Sequence, residues 1–231
     1  MAEEAATNSN SGKPLIAATV SSLAAPCMDV ACRTFHKAGY EVQVFDAGGS
    51  GAERMESLIR AGAVSGVLDL TTTELANQLL GGALRAGRDR LTAAAIKSVP
   101  QVISLGGLDQ ATFGPRVLVP DKLDTRRFYQ QDPSITVVRT TPEENDQLGK
   151  EIAEKASAAR GPTAILMPLQ GLSTLDVEGG VFWWPEADQA LFQSLRNWMS
   201  PHVELVELDL HINDPAFAEA AASKLLSLLR R

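Results

Sequence analysis

Residues 66–75 read GVLDLTTTEL, an apolar run that becomes polar at its carboxyl end. The apolar residues are continuous rather than alternating, which is typical of a strand buried on both faces of a parallel sheet. The following Thr71-Thr72-Thr73-Glu74 matches the capping box that begins many helices. The segment therefore predicts a buried strand that leads directly into a helix.

Similar apolar runs recur along the chain, separated by segments with the periodicity of amphipathic helices. The predicted strands are residues 15–20, 41–45, 64–70, 101–105, 135–138, 163–168 and 203–208. The apolar helix faces are Met55, Leu58 and Ile59; Leu148, Ile152 and Ala156; Ala187, Leu191, Leu195 and Trp198; and Phe217, Ala221, Leu225 and Leu228. This alternation predicts an α/β fold, namely a three-layer Rossmann-like domain with a mainly parallel sheet.

The predicted chain organisation is simple. Residues 14–231 are expected to form a single α/β domain, because no repeat or linker interrupts them. Residues 1–13 contain two glutamates and no apolar run, which predicts a disordered arm rather than a secretory signal. Residues 106–132 are irregular, which is typical of functional loops or of helical connections that patterning misses. Thr141-Pro142-Glu143-Glu144 and Asp214-Pro215 each predict the start of a helix.

The composition excludes several classes of protein. The chain has 231 residues and a formal charge of −7. Its 45% of hydrophobic residues is typical of globular proteins. Its acidic balance argues against nucleic-acid binding, which needs a basic patch. No uncharged segment is long and apolar enough to span a membrane. Cys27 and Cys32 are poorly spaced for a disulfide on a helix, so we expect reduced thiols in a cytoplasmic protein.

The fold class predicts where ligands bind. In open parallel sheets they bind at the carboxyl ends of the strands, near a reversal of strand order. The loops predicted at these ends are rich in hydroxyl groups and glycine. The candidate ligand-binding residues are Ser21, Ser22, Gly48, Gly49, Ser50, Gly51, Thr71, Thr72, Thr73, Gly106, Gly107, Ser173 and Asn213.

The loop from Gly48 to Gly51 is the most suggestive of these positions. Glycines let the backbone approach an anion closely, with the N–H groups of a following helix directed at it. The loop matches neither the phosphate-binding P-loop nor the dinucleotide-binding G-x-G-x-x-G pattern. An anion cradle and a plain tight turn are therefore equal alternatives here.

Asp69, Asp209 and His211 are the candidate catalytic residues. Asp69 closes an apolar strand, which is costly unless its carboxylate is hydrogen-bonded, and it therefore indicates a polar site. His211 follows the last predicted strand and could act as a general acid or base, oriented by Asp69 or Asp209. No HxxxH, CxxC or HExxH spacing supports zinc, so no metal ligand is assigned.

Trp183 and Trp184 lie just before the helix predicted at Pro185. If buried, they would pack over the start of the helix. If exposed, they would form an interface, because aromatic anchors are favoured in such surfaces. The sequence favours neither alternative.

Several ordered motifs resemble one known family. They are Gly39-Tyr40-Glu41-Val42, Met55-Glu56, residues 66–75, Phe113-Gly114-Pro115-Arg116, Arg139-Thr140-Thr141, Pro185-Glu186-Ala187-Asp188, and residues 209–215 with Phe217. In this order they resemble the nucleotide-binding family named after the N-terminal inhibitory region of the tomato mosaic virus resistance protein. The blocks around Asp69 and His211 are the most specific part of the match.

The resemblance implies that family members contain two successive α/β halves, and this chain looks like the second half. It also implies ATP as a cofactor and leaves magnesium open. The second loop departs from the family pattern, since residues 46–52 read DAGGSGA where the family has histidine-alanine-threonine-glycine-threonine-glycine-glycine. The glycine frame is kept but the histidine is not, which suggests a modified ligand.

Three functions are consistent with these observations. The first is a small-ligand-binding protein for a nucleotide such as ATP or another anionic metabolite, acting alone or with a separate first-half subunit. The second is an enzyme, a hydrolase or lyase that acts on a carbonyl or acyl compound through His211. The third is an assembly domain that pairs through the aromatic surface at Trp183 and Trp184, as a homo-oligomer or with a first-half protein. Neither nucleic acid nor a membrane is an expected partner.

Overall fold

The computed structural model describes residues 12–21 and 25–230. The arm predicted for residues 1–13 lies outside the described residues except for Gly12 and Lys13, and Ser22 lies outside them as well. Lys13 forms an ion pair of 3.8 Å with Glu41. The predictions made for Ser22 and for residues 1–11 therefore stay predictions.

Nine strands occur in the described part of the chain and form two sheets. They are β1 (Leu15–Val20), β2 (Glu41–Asp46), β3 (Gly66–Thr71), β4 (Gln101–Gly106), β5 (Gln110–Phe113), β6 (Phe128–Asp132), β7 (Ile135–Arg139), β8 (Thr163–Pro168) and β9 (Glu204–Leu208). Six of them form a parallel sheet in the order β2-β1-β3-β4-β8-β9. β3, β4 and β8 are buried along their whole length, which explains their continuous apolar sequences.

Helices cover both faces of this parallel sheet. They are α1 (Ala25–Lys37), α2 (Ser50–Arg60), α3 (Thr73–Leu80), α4 (Ala93–Lys97), α5 (Pro142–Ser157), α6 (Pro185–Trp198) and α7 (Pro215–Leu228). α1 and α7 pack on one face, and α2 to α6 pack on the other. The predicted α/β fold with three layers and a mainly parallel sheet is therefore confirmed. Among the described residues, no helix is long and apolar enough to cross a membrane.

Alternate residues of each buried strand supply the two apolar layers of the core. In β1, Ile16 and Ala18 contact the layer of α1 and α7, whereas Ala17 belongs to the layer of α2 and α4. In β4, Ile103 and Leu105 belong to the layer of α3, α5 and α6. Because successive strand residues point to opposite faces, both helical layers are fixed to the same strands.

The strand order reverses between β1 and β3. β2 lies to one side of β1, and every later strand of the parallel sheet lies to the other side. The crevice at such a reversal opens at the carboxyl ends of the two central strands. Here those ends are Val20, which leads into Ser21, and Thr71, which leads into Thr72.

A second, antiparallel sheet follows β4 and has the order β5-β7-β6. Residues 135–138 were predicted as a strand, and they do form β7, but β7 lies in this small sheet and not in the parallel one. The irregular residues 106–132 hold β5, β6 and two short 3₁₀ turns, Arg116–Leu118 and Asp121–Leu123. Patterning missed β6 because this strand is exposed and carries no apolar alternation, and it missed β5 because that strand is only four residues long.

All three predicted helix starts are confirmed, and two of them have the predicted side-chain cap. Thr141 and Glu144 form the capping box of α5, and Asp214 accepts a hydrogen bond from the N–H of Ala216 at the start of α7. The capping box predicted at Thr71 is wrong. α3 begins after Thr72 without a side-chain cap, because Glu74 binds a buried guanidinium instead.

The two ends of the described chain lie close together. A Cβ atom at Gly66, the first residue of β3, would lie 3.1 Å from Cδ1 of Ile16 and 3.3 Å from Cδ2 of Leu229. The beginning of β1 and the end of α7 therefore meet at the amino edge of the parallel sheet. This edge is opposite to the one where ligands bind in such folds.

Replacing Thr141 with alanine is expected to destabilise the domain by about 1 kcal/mol, because the N–H of Glu144 loses its cap. Urea unfolding followed by circular dichroism measures the change. Thr125→Ala is the matched control, since Thr125 is exposed in a turn outside the helices. Equal losses in the two variants would show that the capping box does not stabilise α5.

Candidate functional site

The guanidinium of Arg90 is completely buried near the carboxyl ends of β1 and β3. Nη2 donates to Oδ1 of Asp69 and to Oγ1 of Thr19, the latter at 3.3 Å. Nε donates to Oε1 of Glu74 at 3.0 Å, and Nη1 donates to Oε1 of Glu56 at 3.4 Å. Arg90 therefore joins two strands and two helices, and we call this set of residues the Arg90 cluster.

The Arg90 cluster contains three carboxylates and one guanidinium. Burial raises the pKa of Glu56 and of Glu74, and the positive charge of Arg90 opposes that rise. Burial alone would lower the pKa of Arg90, but the charges of Asp69, Glu74 and Glu56 more than offset it. Glu56 also accepts the N–H groups of Leu91 at 2.7 Å and Ala93 at 2.9 Å, which fixes the turn that carries Arg90.

Asp69 was predicted to orient His211, and the structure places it in the Arg90 cluster instead. Its Oδ1 accepts from Oγ1 of Thr19 at 2.8 Å as well as from Arg90. This explains how a carboxylate is tolerated at the end of an apolar strand. The polar site inferred from Asp69 exists, but its partner is an arginine and not the histidine. A catalytic role for Asp69 stays a prediction.

The three threonines after β3 differ in what their hydroxyl groups contact. Oγ1 of Thr72 donates to the carbonyl of Ser104 at 3.0 Å. Oγ1 of Thr73 accepts from Nδ2 of Asn77 at 3.4 Å. Oγ1 of Thr71 is buried and has no hydrogen-bond partner among the described residues, and the same holds for Oγ of Ser21 and of Ser104. Ser104 lies on β4, so the unpartnered hydroxyls at the switch point itself are those of Ser21 and Thr71.

Gly106 and Gly107 have packing reasons for lacking a side chain. A Cβ at Gly106 would lie 2.6 Å from the carbonyl oxygen of Leu70, and one at Gly107 would lie 2.9 Å from Cβ of Thr73. Gly107 also has φ 75°, a conformation that favours glycine. These two glycines let the end of β4 approach the threonine loop. Ligand contact at either one stays a prediction.

The loop from Gly48 to Gly51 is a close-packed turn. Gly49 has φ 45° and precedes α2, which begins at Ser50, and a Cβ at Gly51 would lie 2.3 Å from the carbonyl oxygen of Asp46. A Cβ at Gly48 would lie 2.8 Å from Oδ2 of Asp46, so this carboxylate lies beside the loop. Burial raises the pKa of Asp46. The packing explains the glycines without an anion, and the anion cradle stays a prediction.

His211 is held by backbone groups on both ring nitrogens. Nδ1 accepts the N–H of Asn213 at 3.0 Å, which leaves the proton on Nε2 and directs it to the carbonyl of Ser173 at 3.0 Å. Asp209 is exposed and accepts from the side-chain amide of Gln170. In this structure His211 ties the loop after β9 to the loop after β8. Acid or base catalysis by His211 or Asp209 stays a prediction.

A second buried guanidinium, that of Arg139, lies at the end of β7. Its Nη2 donates to Oδ1 of Asp188 at 2.6 Å and lies 3.7 Å from Oδ1 of Asp176. Its Nε donates to the carbonyl of Phe182 at 2.8 Å, and Nη1 donates to Oγ1 of Thr140 at 3.0 Å. Arg139 thereby fixes the small sheet to α6 and to the loop after β8.

Asp109 and Ser173 complete this group, which we call the Arg139 cluster. Oγ of Ser173 donates to Oδ2 of Asp109 at 2.7 Å. Burial raises the pKa of Asp109 and of Asp188 to about 7, with Arg139 opposing the rise and the charge of Asp176 adding to it. Perturbed carboxyl groups of this kind concentrate at functional sites. Ser173 was predicted to bind a ligand, and the structure places its hydroxyl in this cluster.

A cavity of about 320 Å³ opens beside the Arg139 cluster, between the loop after β8 and the start of α6. Its polar walls are Gln170, Asp176, Glu178, Trp183, Asp188 and Gln189. Trp183 is 43% exposed, Trp184 is half-buried, and the guanidinium of Arg127 lies 4.8 Å from the ring centroid of Trp184. Neither ring is buried at the start of α6, so the first alternative is not met, and an interface at these two tryptophans stays a prediction.

The sequence did not reveal Arg90 or Arg139. Arg90 lies 21 residues from Asp69, and Arg139 lies 49 residues from Asp188, so no local pattern connects the partners. The high cost of Asp69 in an apolar strand was a signal of a polar site, but it did not identify a cation as the partner. Arg139 and Asp188 do lie within motifs that carried the family resemblance.

No set of three or more His, Cys, Asp or Glu side chains is arranged to hold a metal within residues 12–21 and 25–230. Cys27 and Cys32 are free thiols. Burial raises the pKa of Cys27 to about 11, with the charge of Asp214 adding to the rise, so this thiol is protonated at neutral pH.

Fold and site together define the class of this protein. It is a three-layer α/β domain in which two buried arginine clusters and a row of hydroxyl groups line the carboxyl edge of a parallel sheet. The chain belongs to the Uncharacterised protein family (UPF0261), whose C-terminal domain matches residues 13–229. The predicted resemblance to the second half of its family is confirmed.

The relatives are found in bacteria and in a plant. The UPF0261 protein of Clostridium tetani is 43% identical over 220 residues, which cover 95% of this chain and 54% of that protein. The ToMV resistance protein Tm-1(GCR237) of Solanum lycopersicum is 34% identical over 219 residues, which cover 94% of this chain and 29% of that protein. The chain therefore spans about half the length of these bacterial relatives and 29% of the plant protein.

Solved structures give a more distant likeness. The esterase domain of a Rhodothermus marinus protein has a TM-score of 0.48 at 12% identity, covering 97% of this chain and 89% of that one. A fructose binding periplasmic domain of a hybrid two component system has a TM-score of 0.31 at 16% identity, covering 84% of this chain and 53% of that one. Likeness at this level carries no functional information.

Replacing Arg90 with methionine is expected to cost about 3–5 kcal/mol at neutral pH, because three buried carboxylates lose their cation. The folded pKa values of Glu56 and Glu74 are already raised and would rise further. The folded variant therefore binds more protons than its unfolded state, and its stability falls as pH rises through those folded values. Urea unfolding at pH 5 and pH 8 should show a clearly larger loss at pH 8.

Arg196→Met is the control for this experiment. Arg196 binds Glu207 at 2.7 Å in a partly exposed ion pair, and such pairs contribute only about 0–1 kcal/mol. A loss in Arg90→Met that is small, or the same at both pH values, would contradict the interpretation of Arg90 as a buried counter-charge.

Proposed function

We propose that this domain binds a small anionic ligand at the switch point between β1 and β3, with a nucleotide such as ATP as the first candidate. The observation that carries the proposal is the buried hydroxyl of Thr71, which has no hydrogen-bond partner among the described residues. Buried polar groups are nearly always hydrogen-bonded, and an exception calls for an explanation. A ligand in the crevice would supply the acceptor.

The position of the hydroxyl supports this proposal. Thr71 ends β3 and Ser21 follows β1, so both hydroxyls lie where the strand order reverses. Ligands in open α/β sheets bind at this point. The first turn of α3 starts two residues after Thr71, and helix N-termini favour negative charge.

The charges nearby decide how an anion would be held. The buried guanidinium beside the switch point, that of Arg90, is already bound by Asp69, Glu56 and Glu74. Hydroxyl and backbone N–H donors would therefore hold the ligand, without direct contact to a cation. ATP is the first candidate because the family resemblance implies a nucleotide. Since the chain spans about half of its bacterial relatives, the domain binds alone or together with a first half.

Isothermal titration with ATP, ADP and small phosphorylated acids tests the proposal, with and without magnesium. Binding is expected for at least one of them, and Thr71→Val should weaken it about tenfold, which corresponds to one lost hydrogen bond of about 1.4 kcal/mol. The absence of heat with every compound would overturn the nucleotide proposal for the isolated domain.

Thr72→Val is the matched control, because its hydroxyl already donates to the carbonyl of Ser104. This variant should lose about 1 kcal/mol of stability and keep its affinity. Thr71→Val should keep its stability and lose affinity, since its hydroxyl bonds nothing in the domain. Equal destabilisation of the two variants would assign Thr71 to the fold and not to a ligand.

A second candidate function is assembly, and the exposed apolar residues around β6 favour it. We call Val117, Leu118, Phe128, Tyr129 and Trp183 the β6 surface, and each of them is at least 41% exposed. β6 is an edge strand of the small sheet, so one side of its backbone is open to pairing. Arg116 stacks on Phe128 at 4.5 Å, and arginine with aromatic residues is typical of protein interfaces.

If the β6 surface pairs with a second copy, sedimentation velocity should show a dimer whose fraction rises with concentration in the micromolar range. Phe128→Glu should shift the protein to monomer, because it places a charge in the interface. Ile96→Glu is the control, since Ile96 is 64% exposed on α4, apart from the β6 surface. A wild-type protein that stays monomeric would contradict self-assembly.

A further inference from the structure

The cavity beside the Arg139 cluster is separate from the switch point. Gln170 and Gly171, which follow β8, form one wall, and Asp188 and Gln189 of α6 form the other. In the sheet, β4 lies between β8 and β3, so this cavity and the threonine loop occupy different parts of the carboxyl edge. The function proposed for the switch point does not use this cavity.

The cavity has an excess of negative charge. Asp176, Glu178 and Asp188 line it, and its lining contains no lysine, arginine or histidine among the described residues. Arg139 is not part of the lining and lies behind the wall. Its guanidinium binds Asp188 and lies 3.7 Å from Asp176. Arg139 also donates to the main-chain carbonyl of Asp109 at 3.3 Å, and the buried carboxyl group of Asp109 interacts with the same cation. A cationic group in the cavity would reduce the imbalance.

Asp176 provides an independent observation that points to a ligand. Its side chain is completely buried, and Oδ2 accepts the N–H of Leu172 at 2.9 Å. Oδ1 has no hydrogen-bond partner in the described part of the chain, since Arg139 at 3.7 Å is beyond hydrogen-bond distance. A buried carboxylate oxygen that lacks a donor is costly, and an N–H donor from a ligand would remove that cost.

The other walls suit an organic cation rather than a metal ion. Trp183 contributes an aromatic side chain, Phe192 an apolar base, and the amides of Gln170 and Gln189 can accept N–H groups. Carboxylates combined with an indole ring are a recurrent means of binding ammonium groups. The described residues contain no group of side chains arranged to hold a metal.

We propose that this cavity is a binding site for a small metabolite that carries a primary ammonium group. The ammonium donates to Asp176 and Asp188, and its carbon chain lies against Trp183 and Phe192. Glu178, at the exposed rim, attracts the cation from solvent.

Butylammonium is the probe, and 1-butanol is its neutral analogue of nearly the same shape. Isothermal titration and tryptophan fluorescence of the whole domain should show millimolar binding of butylammonium and at least tenfold weaker binding of 1-butanol. D-fructose is included because amides and carboxylates also bind sugars. Equal binding of 1-butanol, or binding of D-fructose alone, would overturn the proposal.

Glu178→Gln tests the role of charge without disturbing the core, because Glu178 is exposed. It should weaken butylammonium binding at least threefold. Glu186→Gln is the matched control, since Glu186 is exposed on α6 outside the cavity lining and its replacement changes the net charge equally. Equal affinities in the two variants would show that the cavity does not hold the cation.

A third variant, Trp183→Leu, should abolish the fluorescence response and weaken binding, because it removes the aromatic wall. Unchanged quenching in this variant would place the probe elsewhere and overturn the proposal. A parallel titration with ATP distinguishes binding at the switch point from binding in the cavity. Glu178→Gln should leave any ATP affinity unchanged. If the domain binds butylammonium but no nucleotide, the proposal for the switch point is refuted and the proposal for the cavity is kept.

Discussion

The ion pairs of Arg90 are the constraint on which the carboxyl edge depends. One guanidinium contacts Thr19 on β1, Asp69 on β3, Glu56 on α2 and Glu74 on α3, all of them buried. The attraction between these groups and Arg90 holds β1 and β3 against α2 and α3. A buried pair that loses one partner leaves an uncompensated charge, so these elements cannot move apart separately. The ends of β1 and β3, where the ligand is proposed to bind, are thereby held together.

Arg139 does the same at the other end of the edge, where it joins the small antiparallel sheet to α6 and to the loop after β8. In both clusters three carboxylates surround one guanidinium. Acidic side chains are therefore concentrated where the ligands are proposed to bind. At the switch point the acids are bound by Arg90 and the hydroxyls of Ser21 and Thr71 have no partner among the described residues, whereas at the cavity the acids themselves form the wall. This difference is why we assign an anion to one site and a cation to the other.

The fold could be predicted from the sequence because its signals are local. Continuous apolar runs such as residues 163–168, and the capping box at Thr141, report burial and helix starts from a few neighbouring residues. The strand at residues 135–138 was predicted too, but its sheet was not, because pairing with β5 and β6 depends on distant residues. The site was predicted only as a location. Asp69 indicated a polar centre, but its partner Arg90 lies in a turn without periodicity, and His211 proved to be bonded to backbone groups.

The closeness of the two chain ends has a practical consequence for experiments with this domain. Gly66 lies between Ile16 and Leu229, so β1 begins where α7 finishes, at the amino edge of the sheet. The switch point, the acidic cavity and the β6 surface are built on other parts of the molecule. An affinity tag, a fluorophore or a surface linker attached next to the start of β1 or the end of α7 therefore lies at the edge of the sheet opposite to the switch point. Immobilisation through the two ends should orient the domain identically, with its carboxyl edge facing the solution.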